Sequence, residues 1–180
     1  MEGGGGLVRA SVVYSSLLNK PIRLHSVRAN RPRTQGLQPG HATAVGAMAK
    51  LTGASVQGNE ARSRDLEFTP HEGVRGNAGT PETPNQPRSL ASLDITVEGS
   101  ASILLVAILP YLLFSRLAAS TCNFTPLLDS DTEFQLTIRA GMLVLNAPSI
   151  CAIRQIFLPT LNTIGIPPEH VRLSPDYEQG

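Results

Sequence analysis

Apolar residues recur along this chain with two periods, and the switches between them mark out its elements. From Leu7 to Leu18, positions Leu7, Val8, Val12, Val13, Leu17 and Leu18 follow helical spacing, and Asn19-Lys20-Pro21 ends the helix, because a residue before proline is steered out of the helical region. Ile22, Leu24 and Ser26 then alternate with Arg23 and His25, the period-two pattern of a short strand. Arg28 to Gly40 is a loop punctuated by proline and glycine and carrying Arg28, Arg31 and Arg33. Helical spacing returns from His41 to Leu51 through Ala44, Val45, Met48 and Leu51, with Gly53 where a helix-ending glycine belongs. Ser55 to Gln57 and Leu66 to Thr69 read as short strands, and Pro70 to Arg88 as an irregular linker.

Beyond the linker, Leu93 to Val97 predicts a strand, and Gly99-Ser100 leads into an apolar helix running to about Leu117. Ser120 to Glu133 reads as a surface loop and Phe134 to Arg139 as a strand. Ala147-Pro148 opens a helix from Ser149 to about Thr163, with Ile150, Ile153, Ile156, Phe157, Leu158 and Leu161 on a broad apolar face and a bend expected at Pro159. The two halves share one order: a glycine-led helix, a strand, a turn, a helix closed by glycine. Val27-Arg28-Ala29-Asn30 matches Ile138-Arg139-Ala140-Gly141, and each is followed after about 25–26 residues by such a glycine, Gly53 or Gly165, which reads as an internal repeat. Small two-layer units of this kind leave a face to cover, which favours packing against a sibling.

Composition narrows the picture. A chain of 180 residues, 41% hydrophobic with a net charge of +1, suffices for one ordinary domain or two small ones with a real core. Charged residues at 16%, aromatics at 4% and no tryptophan exclude a strongly basic nucleic-acid binder and an aromatic stacking platform, so any RNA contact has to be local. Cys122 and Cys151 have neither metal-ligand spacing nor a disulfide framework, which fits a reducing compartment. No signal peptide is expected, since no basic, apolar, small-residue leader opens the chain. No transmembrane helix is expected either: the apolar run Ala101 to Phe114 is about 14 residues, interrupted by Pro110, against the roughly 20 that a span needs.

Candidate chemistry begins at MEGGGGLVR, Met1 to Arg9. Glycines let several backbone N-H groups approach one anion, and a helix starting at Leu7 adds its positive end. Residue types alone leave both a phosphate cradle and a flexible tail open, and they leave the Arg28 to Arg33 cluster open as a phosphate-contacting turn or a solvated loop.

Six segments together resemble the RNA 3'-terminal phosphate cyclases: EGGGGLVR at Glu2, KPIRLHSVRANR at Lys20, GLQPGH at Gly36, LTGASVQG at Leu51, DITVEGSASILLVAILPYLLF at Asp94 and APSICAIRQIFLPTL at Ala147. The resemblance implies an α/β (α+β) chain of repeated two-helix, four-strand units, of the kind found in the C-terminal domain of a translation initiation factor. Two such units are expected: residues 1–69, lacking a first strand, then a linker over 70–91, then residues 92–180 with an inserted loop at about 120–133, and no third unit. The implied chemistry is conversion of an RNA 3'-phosphate to a 2',3'-cyclic phosphate, with ATP and Mg2+ as cofactors and an adenylylated histidine as intermediate. RNA is the implied partner and the nucleus the implied location. By match to the family's motifs, Glu2 and Arg9 belong to the glycine-loop signature and Arg28 and Arg31 to the basic turn. These are the candidates for nucleotide or phosphate contact, with Arg33 and His41 as secondary ones. Fixed arginine donors and backbone N-H groups are what adenylyl transfer needs, because charge moves onto phosphate oxygens.

The sequence also departs from that pattern. Gly6 stands where the family has glutamine, Gly40-His41 where it has Gln-His, Val106 where it has glutamine, Ala140-Gly141-Met142 where it has Gly-Gly-Thr, and Cys151 where it has aspartate. Each change removes a polar group able to hydrogen-bond a nucleotide or phosphate. None of His25, His41, His71 and His170 matches the nucleophile motif, so no catalytic residue is assigned and the chain is expected to be inactive alone. The alternative is a non-catalytic RNA-binding or ribosomal RNA maturation factor of the cyclase-like group.

Overall fold

The computed structural model describes residues 4–70, 91–121, 134–166 and 171–174. Helix α1 spans Gly5–Leu18, two residues earlier than the apolar spacing predicts. The first-turn N-H groups of a helix have no partner within it, so glycines there forfeit little. Gly4 supplies the extended N-cap, and Asn19 closes the helix in the left-handed region at φ 49°. Val8, Val12 and Val13 form its buried face, and the Ser16 hydroxyl donates back to the Val12 carbonyl at 2.8 Å.

Strand β1, Ile22–Leu24, leads through the basic loop to α2, Pro39–Thr52. This helix begins at Pro39 rather than His41, because proline suits a first helical position whose N-H would be unpaired. Gly53 ends it at φ 66°, as predicted. Strands β2, Ser55–Gln57, and β3, Leu66–Thr69, complete an antiparallel sheet ordered β1-β3-β2. Phe68 stands opposite Ile22 on one side and Val56 on the other, and Leu66 opposite Leu24. Both Leu66 and Phe68 are wholly buried, while Glu67 between them faces outward and pairs with Arg23 at 2.9 Å. The period-two reading of the sequence is realised in that alternation.

In the second half, β4 (Ala91–Ser100) and β5 (Phe134–Gly141) pair in parallel, with α3 (Ala101–Thr121) between them in sequence. The helix extends into the first residues of the predicted surface loop. The rest of that loop, and the predicted linker after Pro70, lie outside the described residues. Ser102, Leu104, Ile108 and Tyr111 bury one side of α3. No helix among the described residues is long and apolar enough to cross a membrane.

A last helical run, α4, comprises Ile150–Ala152, a π-helical turn Ile153–Phe157 and Leu158–Thr163. Ser149 caps it, accepting the Ala152 N-H at 3.1 Å. The bend expected at Pro159 takes the form of that π-turn: Leu158 N-H bonds back to the Ile153 carbonyl just before the residue that has no N-H to give.

The order α1-β1-α2 recurs as α3-β5-α4, and Gly53 and Gly165 beyond the second helices both have positive φ, 66° and 92°. The matched tetrapeptides differ locally: Val27 to Asn30 form a turn after β1, whereas Ile138 to Gly141 finish β5. One core joins the halves, with Val8, Val12, Val45, Met48 and Phe68 in the same cluster as Ile95, Val97, Leu104 and Ile108. The two sheets and the four helices α1 to α4 make a mixed α/β structure.

Candidate functional site

The basic loop is a closed, internally bonded structure. Val27 donates to the Arg64 carbonyl at 2.9 Å and accepts from Gly36 N-H at 3.0 Å, while Leu37 N-H bonds Ser63 O at 2.8 Å and Arg62 N-H bonds Leu37 O at 2.7 Å. These bonds clamp both ends of the loop to the segment before β3. Gly36, at φ 72°, lies where a Cβ would collide with the Arg62 carbonyl, so the clamp requires glycine. Arg28, itself left-handed at φ 50°, reaches across the loop, donating from Nε to Thr34 O at 2.8 Å and from Nη2 to Thr34 Oγ1 at 2.7 Å. Its guanidinium is thereby held in place rather than swinging in solvent.

The loop delivers the chain to Gln38, the N-cap of α2. Gln38 N-H donates to Nδ1 of His41 at 3.3 Å, and the Gln38 carbonyl accepts from His41 N-H at 2.9 Å and Ala42 N-H at 3.1 Å. An Nδ1 that accepts places the ring proton on Nε2. That side of the ring faces the start of α1: a Cβ built on Gly5 would fall inside the imidazole. Two helix N-termini therefore meet at His41, each bringing the positive end of its dipole.

The electrostatics mark the same place. Burial, and then the positive charges of Arg9, Arg28 and Arg31, hold the His41 imidazole down at about 4, so the ring is neutral at pH 7. Arg9, half-buried one turn into α1, is itself held below its ordinary value by burial. The charges of three arginines on two separate segments thus act on one ring at the junction of two helix starts.

Of the residues singled out from sequence, Arg9, Arg28, Arg31 and His41 are brought together. Arg33 is exposed on the same loop, and Glu2 lies outside the described residues. His25 stands apart on the outer face of the first sheet, its Nδ1 2.9 Å from Asp65. His71 and His170 lie outside the described residues. Sequence reasoning missed Thr34, Gln38 and the particular role of Gly5. Gln38 did carry a signal, a polar residue before an N-terminal proline and three places ahead of His41, which is capping-box spacing.

Guanidinium charge at the positive end of a helix is chemistry that suits a phosphate group. Among the described residues no group of three or more His, Cys, Asp or Glu could hold a metal ion.

The family model described as RNA 3'-terminal phosphate cyclase matches residues 1–174. RNA 3'-terminal phosphate cyclases of Sulfurisphaera tokodaii, Sulfolobus acidocaldarius and Saccharolobus solfataricus are 35%, 36% and 32% identical over 165 residues. Those residues are 92% of this chain and 40% of each relative, so the chain spans well under half the length of the relatives it matches. With the matched region running through the glycine-led helix, the basic loop and both halves of the core, the chain belongs to the RNA 3'-terminal phosphate cyclase family.

Proposed function

We propose that this chain recognises the 3'-terminal phosphate of RNA and acts in RNA processing as a cyclase-like protein. The observation that carries the reading is the convergence of Arg9, Arg28 and Arg31 on His41 where α1 and α2 begin. The names of the relatives point to the same substrate class. In the family reaction ATP supplies the adenylyl group. In this chain Arg9, Arg28 and Arg31 bind and orient a phosphate, and Glu2 belongs to the same site. We place the protein in the nucleus, with RNA as its partner.

The same proposal divides the chain into units 1–69 and 92–180, joined by a linker over 70–91, each built on the two-helix, four-strand plan of the translation-initiation-factor domain. Supporting this, the first half has helix-strand-helix followed by the antiparallel pair β2 and β3, and the second has a parallel strand, β4, ahead of helix-strand-helix.

A second reading, binding without catalysis, is favoured by the two described histidines. His25 is engaged by Asp65, and the two nitrogens of His41 face Gln38 N-H and Gly5. The test of the phosphate reading is fluorescence anisotropy with short RNAs differing only in a 3'-phosphate or 3'-hydroxyl end. A preference of roughly tenfold or more for phosphate is expected from charge-assisted contacts. Equal, salt-sensitive binding would replace it with general backbone contact.

A further inference from the structure

We propose that His41 is a positioning residue for this phosphate: its neutral ring braces the start of α1 against the start of α2, so that the first turn of α1 and the three arginines address one anion. The inference rests on the 3'-phosphate reading given above.

Three observations carry it. Gln38 N-H fixes the ring from the α2 side through Nδ1. On the other side the ring lies so close to the backbone of α1 that only glycine fits at position 5. A brace among Arg9, Arg28 and Arg31 also has to be uncharged, because a cation there would repel the same groups that hold the anion. A lysine or arginine of similar reach would fill the space and spoil the site.

The second half of the molecule has a corresponding junction built from different side chains. There the Ser102 hydroxyl, 1% exposed at the start of α3, donates to the carbonyl of Pro148 just ahead of α4, and the Ser100 hydroxyl donates to Ser102 Oγ at 2.7 Å. Ser100 Oγ also accepts Ile103 N-H at 3.3 Å. Two helix starts are again tied together, by hydroxyls. Bracing is common to both junctions, and the imidazole is found at the basic one.

The test uses the full chain, wild type and with His41→Ala, His41→Gln or Gly5→Ala, and the same pair of RNAs ending in 3'-phosphate or 3'-hydroxyl. His41→Ala and Gly5→Ala are expected to cut the phosphate preference by about tenfold while leaving affinity for the 3'-hydroxyl RNA within about twofold, since lost alignment affects the end group alone. His41→Gln, whose amide nitrogen reaches the place of Nε2, should restore most of the preference. In parallel, the backbone amide resonance of Gly5 should move in His41→Ala and return toward its wild-type position in His41→Gln. A wild type that discriminates, with His41→Ala discriminating equally well, overturns this inference and leaves the phosphate reading standing. A wild type that does not discriminate overturns the phosphate reading, and the positioning role with it. Equal loss of affinity for both RNAs in His41→Ala and His41→Gln would make the residue merely structural and also overturns the inference.

Discussion

The neutral ring at the centre of the basic cluster makes a prediction about stability and pH. His41 takes up its proton near 6.5 when unfolded but only near 4 when folded. Below pH 6.5 the unfolded state therefore binds a proton that the folded state refuses, and linkage requires stability to fall as pH drops through the window from about 6.5 toward 4. Above 6.5 neither state is charged and nothing is lost. Acting in full, the shift would cost about 2.5 kcal/mol at pH 4.5. The ring is only half-buried, so solvent screening reduces this to roughly 1–1.5 kcal/mol. The assay is urea unfolding at pH 7 and pH 4.5 for wild type and His41→Gln, in which the site no longer titrates and the shared contributions of other groups cancel. Wild type should lose roughly 1–1.5 kcal/mol more than the variant. Added salt should shrink the share due to the arginines and leave the share due to burial. Parallel losses, agreeing within about 0.3 kcal/mol, would refute the reasoning and place the ring in solvent away from Arg9, Arg28 and Arg31.

Two further predictions test the frame around the site. Ser102→Ala strands the Pro148 carbonyl and the Ser100 hydroxyl, and should lower the unfolding free energy by about 1–3 kcal/mol, against almost nothing for Thr43→Ala, whose hydroxyl bonds only back along its own helix. Phe68→Ala empties the centre of the first sheet, where the ring is wholly buried between Ile22 and Val56, and should cost about 3–5 kcal/mol by the same measurement.

What could be read from sequence was local periodicity. The strand around Phe68 was legible because Leu66 and Phe68 alternate with outward Glu67 and Thr69, and the end of α2 because Gly53 is the residue that takes a left-handed turn without strain. Boundaries slipped where tertiary packing decides. Helix α1 begins at Gly5 although glycine is a poor helix former, since the first turn lacks internal bonds in any case and His41 leaves no room there for a side chain. The fourth helix was foreseen with a bend at Pro159, but the π-turn upstream depends on how Leu158 finds the Ile153 carbonyl. The resemblance named Arg9, Arg28 and Arg31 one motif at a time. That their charges act on a single ring depends on the packing of α1 beside α2 and on the clamp joining Val27 and Leu37 to residues 62–64, pairings no local pattern encodes.

The glycine run takes on a different meaning once His41 is opposite it. Read as a sequence, consecutive glycines are interchangeable sources of backbone freedom. In the structure Gly4 and Gly6 have nothing within 4 Å of where a Cβ would sit, while Gly5 is pressed against the imidazole. Position 5 therefore requires glycine for close approach, and position 6 does not. A Cβ at position 6 would meet no steric obstacle, so Gly6 is not demanded by close packing at that atom. The same distinction separates the rest of the site: Gly5, Gly36, Gln38 and Thr34 build its geometry, and the arginines supply its charge. On the phosphate reading proposed above, substitutions in the first group should act through alignment and substitutions in the second through affinity.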